Sequence, residues 1–344
     1  MNLYALLEKG FPKNREDCAL ETPEGLFYTW RDIDRATAMM ANLLKSLNLP
    51  SGSRVAVQVE KSPEALFLYL ATLRAGFVYL PLNTAYQESE IQYFIENAEP
   101  AVVICSPKNF SWISKIAFKA GTKNVFTLDE NRTGSLLERS VHCSDQFNTV
   151  TRTNDDLAAI LYTSGTTGRS KGAMLTHDNI LRAAFSSALT RSFEDGRRIL
   201  FALPMYHVFG YVECWVAALF VGGSIIPQTI FDPTEMLDLG QNLDATDIVG
   251  VPVMTQALID QARKRRFHSE TLLSVFNSGG VNLPSVWANI REVLGATEIH
   301  TAYGMTETTA SVMCTWTEDD AEILLNSNGR YKFAGPAGDD AIGG

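Results

Sequence analysis

The residues from Thr163 to Gly172, TSGTTGRSKG, bring together three glycines (Gly165, Gly168, Gly172), hydroxyls that include Thr163, Ser164, Thr166 and Thr167, and Lys171. Glycine lacks a Cβ, so backbone N–H groups can approach an oxyanion closely; hydroxyls add donors and a lysine adds a point charge. The chemistry such a set supports is phosphate binding. It is not the P-loop pattern, in which glycine immediately precedes the lysine and Ser or Thr follows, because here Ser170 precedes Lys171 and Gly172 follows it. On composition alone, a polar surface turn is the alternative.

Three further segments narrow the choice: LPMYHVFG at Leu203 to Gly210, NSGG at Asn277 to Gly280, and TAYGMTE at Thr301 to Glu307. With LYTSGTTGRSKGAMLTH they occur in the order found in the AMP-forming adenylate superfamily, which the chain resembles from near its start to about Gly338. That superfamily contains acyl-CoA synthetases, adenylation domains of nonribosomal peptide synthetases and beetle luciferases. The resemblance implies attack of a carboxylate on the α-phosphorus of MgATP, giving an acyl adenylate and pyrophosphate, with CoA as the later co-substrate. A carboxylic acid, with a pKa of about 4 to 5, is already ionised at neutral pH, so the step needs no general base. Charge neutralisation and alignment are what the site must supply.

Roles follow from the resemblance, residue by residue. Thr163, Ser164, Gly165, Thr166, Thr167, Gly168 and Lys171 match the loop that holds the β- and γ-phosphates. Glu307 resembles the magnesium-binding acid, with Thr163 as co-ligand, and Thr306 the residue that contacts the α-phosphate. One carboxylate suits a hard cation that bridges phosphates and keeps its waters. Tyr303, with Gly304 and Met305 beside it, matches the aromatic segment that stacks on adenine, and Ser278, Gly279 and Gly280 match the turn flanking the base. His207 matches the ring that walls the carboxylate end of the acyl pocket. The catalytic set implied is His207, Thr306, Glu307 and Lys171. Read singly, each has a plainer account: Glu307 as a solvated acid, Tyr303 as a half-buried core aromatic, His207 as a structural histidine. The run Arg263, Lys264, Arg265, Arg266 reads as a solvated helix end favoured by the helix dipole and is assigned no site.

Peptide synthetase adenylation domains usually carry an aspartate at about the position of His207, so an amino acid is not the expected substrate. The stretches EKSPEALFLYLATLRAGFVYLPLNTAY and DDLAAILYTSGTTGRSKGAMLTHDN look most like malonyl-CoA synthetases. Malonate-specific members carry an arginine shortly after the GVP segment, whereas GVPVMTQAL has Ala257 there, and an unpaired second carboxylate would be costly to bury. YHVFGYV resembles fatty acyl-CoA synthetases. A medium or longer apolar acid is the favoured substrate; malonate, and a non-catalytic ATP-binding remnant, stay open.

The elements that must position these residues alternate. Thr29 to Leu47 places Ile33, Ala36, Met40, Leu43, Leu44 and Leu47 at helical spacing. RVAVQVE reads as a strand, and SPEALFLYLATLRAG as a helix with Ser62 capping, Pro63 in its first turn and Gly76 past its end. FVYLPL, ESEIQYFIENAEP, AVVIC and NVFTL continue the series, and LAAILY runs straight into the glycine-rich loop, where parallel sheets present ligand loops. A second series follows from RILFALP to the strand TEIHTAYG. The expected fold is α/β: two α/β lobes with largely parallel sheets, as in the N-terminal domain of the adenylate-forming fold. The AMP-binding domain is placed at 1–316, with one lobe over 50–187 and the other combining 15–49 with 195–316, and 317–344 as a stub of a third, β-rich subdomain. By the resemblance, the rest of that subdomain, its ribose-binding aspartate and a mobile C-terminal domain with its lysine would follow Gly344, so nucleotide binding is expected more firmly than turnover.

A 344-residue chain with 46% hydrophobic residues can bury a large core. Its net charge of -10 argues against nucleic acid as a partner. Cys18, Cys105, Cys143, Cys214 and Cys314 are odd in number and scattered, which fits a reducing, cytoplasmic setting; no leader pattern opens the chain and no apolar run is long enough to span a bilayer. The expected small molecules are ATP, Mg2+, a carboxylic acid and CoA; a homodimer is compatible with them.

Overall fold

The computed structural model describes residues 1–163, 169–194, 196–319 and 321–332. They form two compact units, one from residues 1–6 and 31–180, the other from 7–30 and 181 onward.

In the first unit, a six-stranded sheet among the described residues has the spatial order Asn124–Thr127, Val102–Cys105, Arg54–Gln58, Val78–Pro81, Leu157–Thr163, Lys171–Thr176. The first five are parallel; the last turns back antiparallel to Leu157–Thr163. Helices cross between them. Pro63–Arg74 begins where Ser62 Oγ accepts from Ala65 N at 3.2 Å and ends before Gly76, whose φ of 76° a side chain would strain. Every residue of this helix is buried, so its polar members need partners: Arg132 donates to Glu64 at 2.7 Å, and Arg74 Nη1 donates to the Asp34 and Thr37 oxygens at 2.7 to 2.9 Å.

That arginine explains a boundary. The helix Trp30–Ser46 falls, from Arg31 on, with the first unit, although the sequence groups residues 15–49 with the second lobe. Asp34 and Thr37 are held by Arg74, and Asn42 by the Ser144 and Gln146 carbonyls at 2.8 and 2.9 Å. The helix Phe110–Lys119 buries Ile113, Ile116 and Ala117.

The second unit holds a seven-stranded sheet in the order Glu298–His300, Ser274–Asn277, Asp247–Gly250, Arg198–Phe201, Ser224–Pro227, Cys18–Glu21, Phe27–Thr29. It is parallel apart from the outer hairpin of Cys18–Glu21 with Phe27–Thr29. A separate three-stranded antiparallel sheet joins Ala302–Met305, Ala310–Cys314 and Arg330–Tyr331. TEIHTAYG is therefore two strands in two sheets, parted at Thr301, whose backbone exchanges hydrogen bonds with Thr315: Thr301 N to Thr315 Oγ1 at 2.9 Å and Thr315 N to Thr301 O at 3.0 Å. VECWVAALF is helical as expected, but over Phe209–Val216 it is wound as a π-helix before the α-helix Ala217–Val221. Such wide turns persist mostly where function or packing demands them.

The inner strands Val78–Pro81, Val102–Cys105 and Ser224–Pro227 are buried along their whole length, as strands covered on both faces must be. The helix Pro252–Arg265 carries Arg263, Lys264 and Arg265 in its last turn, with Arg265 bonded to the Thr234 carbonyl and Asp238 and Arg263 to Asn289, in keeping with a helix end. All five cysteines are free, and Cys105, Cys214 and Cys314 are buried. Burial pushes Cys105 up to about 12 and Cys314 to about 11, which makes both inert as nucleophiles. Among the described residues no helix is long and apolar enough to cross a membrane.

Candidate active site

In the first unit the strand Leu157–Thr163 delivers the glycine-rich loop from its carboxyl end, where open parallel sheets present ligand-binding loops. The returning strand Lys171–Thr176 pairs Thr163 with Lys171 and Tyr162 with Gly172. Ser164, Gly165, Thr166, Thr167 and Gly168 lie outside the described residues; the two ends of the loop do not. Thr163 Oγ1 donates to the Lys171 carbonyl at 3.4 Å, and Lys171 is exposed. A Cβ on Gly172 would come within 2.8 Å of Ile160 Cγ2, so glycine lets the strands close tightly beside the lysine.

The helix Glu88–Ala98 grips the loop's returning limb. Tyr93 Oη donates to the Ser170 carbonyl at 2.8 Å, the Arg169 guanidinium lies 5.4 Å from the Tyr93 ring centroid, and Tyr162 Oη donates to Asn97 Oδ1 at 2.6 Å. Burial, with Tyr93 nearby, pushes the Tyr162 hydroxyl up to about 12, so it stays a donor at any working pH. Sequence motifs do not reveal Tyr93 and Asn97. Their spacing of four on one helix is the one local signal that they act together.

In the second unit, Ser274–Asn277 ends in Ser278, Gly279 and Gly280. Ser278 Oγ donates to the Ala302 carbonyl at 2.6 Å, tying this turn to the strand that carries Tyr303, Gly304 and Met305. Gly279 has φ +82°, and a Cβ there would lie 3.3 Å from Val251. Tyr303 is half exposed, at 50%, and Met305 similarly at 45%, large apolar surface of the kind that binds a flat ring. Gly304 cannot be anything larger: a Cβ would sit 1.9 Å from the Ala310 carbonyl oxygen.

Thr306 and Glu307 stand on the tight turn Thr306–Thr308, pinned by Met305 N donating to Thr308 Oγ1 at 3.1 Å. Thr309 and Ala310 follow with φ 57° and 79°, consecutive left-handed residues without glycine. Such conformations cost roughly 1–3 kcal/mol each and cluster at working sites. Glu307 is exposed. Among the described residues no cluster of three His, Cys, Asp or Glu side chains could hold a metal ion.

His207 precedes the π-helical segment. Phe209 N donates to His207 Nδ1 at 3.2 Å, which places the neutral ring's proton on Nε2 as a donor. Crowding about the ring lowers its pKa below the ordinary imidazole value although an edge stays exposed. A neutral N–H donor can steer a carboxylate without neutralising it.

Thus the structure brings Thr163 and Lys171 together in one unit, and Ser278, Gly279 and Gly280 against the Tyr303–Met305 strand in the other. An AMP-binding enzyme family model matches residues 8–334. The chain belongs to that family. Among similar proteins are a feruloyl-CoA synthase of an Amycolatopsis species, 27% identical over 84% of this chain and 56% of that protein, and a medium-chain fatty-acid–CoA ligase of Escherichia coli K12, 26% identical over 90% and 56%. Apo MatB from Rhodopseudomonas palustris superposes with a TM-score of 0.85 at 38% identity, covering 93% of this chain and 62% of that one. MatB has also been solved with ATP bound. The N-terminal domain of FACL13 from Mycobacterium tuberculosis shares the fold, with a TM-score of 0.87 at 24% identity. The chain therefore spans 56% of the length of these two curated relatives and 62% of that of MatB.

Proposed function

We propose that the chain is the AMP-binding domain, over residues 1–316 and the start of a third subdomain, of an AMP-forming carboxylic acid–CoA ligase. In this reading MgATP and an apolar acid of medium or greater length give an acyl adenylate, and CoA then takes the acyl group as a thioester. Lys171 and the loop from Thr163 hold the β- and γ-phosphates of the leaving group. Glu307 and Thr163 hold Mg2+, Thr306 contacts the α-phosphate, and Tyr303 stacks on adenine beside Ser278, Gly279 and Gly280. The His207 Nε2–H donates to the attacking carboxylate. A bound Mg2+ would neutralise charge on the transferred phosphates. A reducing, cytoplasmic setting belongs to the same reading and is supported by the free cysteines.

The observation that carries this reading is the pairing of Thr163 with Lys171 across the mouth of the glycine-rich loop, within the family match. Calorimetric titration with ATP, followed by ATP–pyrophosphate exchange and hydroxamate trapping across acetate, decanoate, palmitate, ferulate and malonate, tests it. Saturable exchange with an apolar acid is expected; ATP binding without exchange for any acid would overturn the ligase reading.

Malonate is the second reading, supported by the 38% identity to MatB and the front-half resemblance to malonyl-CoA synthetases. Against it, Ala257 is half-buried on the helix Pro252–Arg265 and offers only a methyl where a second carboxylate would need a cation. Exchange with malonate at lower concentrations than with decanoate would reverse the preference.

A further inference from the structure

Glu213 sits in the middle of the π-helical segment Phe209–Val216 and is 1% exposed. Its Oε1 accepts from Ser311 N at 3.1 Å, from the Ser311 hydroxyl, and from Lys332 Nζ at 3.1 Å. Its Oε2 accepts from the Ser187 hydroxyl and, at 3.5 Å, from Lys332. Lys332 also donates to Ser311 Oγ at 2.9 Å, and Arg191 Nη1 donates to the Glu213 carbonyl at 2.8 Å. Burial would raise the carboxyl's pKa, but Lys332 and Arg191, with the two serines, hold it below the ordinary range. The group is an anion with every lone pair engaged.

The pieces this carboxylate joins are those that carry the candidate site. Its own segment is fastened to His207 at the other end, with Tyr211 N donating to the His207 carbonyl at 3.0 Å and Phe209 N to Nδ1 at 3.2 Å. Ser311 is the register partner of Gly304, between Tyr303 and Met305, with Thr306 and Glu307 following. Lys332 lies beside this hairpin, its backbone N donating to the Val312 carbonyl at 2.9 Å. One buried carboxylate therefore links the segment bearing His207 to the hairpin bearing Tyr303 and Glu307.

Stability alone is a weak reason to bury such a pair, since apolar residues of similar volume commonly serve as well or better. Directional bonds to a fixed carboxylate fix the spacing of two elements in a way apolar packing does not. We propose that Glu213, paired with Lys332, is a positioning residue for adenylation: it holds the His207 segment in register with the nucleotide hairpin, so that the acid and the α-phosphate are presented together. This rests on the ligase reading above.

The test uses the full chain and decanoyl-sulfamoyl adenosine, a stable mimic that must engage both pieces at once, beside ATP alone, in titration calorimetry. The variants are Glu213→Gln, Lys332→Met and the double variant. Each single variant strands a buried polar partner and lowers the melting temperature; the double removes both charges and recovers most of it. In the double variant, affinity for the mimic is expected to fall about tenfold or more while ATP affinity changes less than about threefold. Ser311→Ala, a smaller cut in the same network, should lose about threefold for the mimic and covers the case in which the double variant does not fold. A double variant that regains its melting temperature and binds the mimic as the wild type does overturns the positioning role and leaves the ligase reading standing; so does an unaffected Ser311→Ala if the double does not fold. A wild-type chain that binds ATP but not the mimic overturns both.

Discussion

Thr163 and Lys171 stand opposite each other at the ends of two antiparallel strands, with the Thr163 hydroxyl donating to the Lys171 carbonyl at 3.4 Å. The two strand ends therefore stand about 5 Å apart between paired Cα atoms. Lys171 thus brings a positive charge to that mouth. Lys171→Ala is expected to weaken ATP binding about tenfold or more, as loss of a charge-assisted contact would, with little change in melting temperature because the side chain is exposed. Titration calorimetry and a melting curve decide it; unchanged ATP affinity would remove the loop from phosphate binding.

Tyr93 should matter although no motif names it. Tyr93→Phe keeps the ring under Arg169 but deletes the 2.8 Å hydrogen bond to the Ser170 carbonyl. A stability loss of about 1 kcal/mol is expected. ATP affinity should also fall, by roughly threefold, because the returning limb is less ordered. Urea unfolding and ATP titration measure the two effects separately.

Gly304→Ala places a methyl 1.9 Å from the Ala310 carbonyl oxygen and 2.5 Å from Ser311 Cα, both backbone and unable to rotate away. The hairpin must open. A loss of about 3 kcal/mol is expected, at the upper end of overpacking costs, together with weakened binding of ATP. Wild-type stability in this variant would show that the strands do not pair here.

Glu307 is offered as the magnesium ligand. Glu307→Gln should abolish most of the gain in ATP affinity that Mg2+ gives, while leaving metal-free ATP binding nearly unchanged. Titrations with and without Mg2+ read this directly, and an undiminished metal effect would assign the role elsewhere.

Two buried histidines should make the fold acid-sensitive. His177 Nδ1 accepts from Leu3 N at 3.1 Å, which only a neutral ring can do; His300 Nδ1 donates to the Thr315 carbonyl at 3.2 Å; and burial lowers each to about 4 from an ordinary 6.5. The unfolded chain takes up protons as pH falls through 6.5, whereas the folded chain does so only near 4. Stability therefore declines between about pH 6.5 and 4, by up to about 3 kcal/mol per histidine, and the contribution flattens below. Denaturant unfolding at several pH values should show a shallower decline for His177→Asn and His300→Asn; an unaltered slope would mean the rings are charged in the fold.

Much of this architecture could be read locally. Ser62, Pro63 and Gly76 bound a helix by capping and φ preference alone, and the apolar runs at 54–58, 102–105 and 247–250 are strands because both faces are covered. The four ordered motifs assigned the family. Local pattern encodes which face of an element is buried, however, and not what buries it. TEIHTAYG reads as one β-rich run, yet its halves enter different sheets because Thr315 bonds Thr301 from fourteen residues away. Cys18–Glu21 joins the second unit's sheet beside Ser224–Pro227, a partner no periodicity names.

By itself the sequence determined the phosphate loop's composition, the alternation that delivers it from a strand end, and the nucleotide chemistry these imply. Tertiary structure alone decided how the loop's ends are held and what ties the second unit's site together. Tyr93 meets Ser170 across 77 residues, and Glu213 meets Ser187, Ser311 and Lys332 across 26, 98 and 119. The physical reason is that a glutamate in an apolar run is tolerable only where distant partners satisfy it, and a chain's own neighbourhood cannot show whether they arrive.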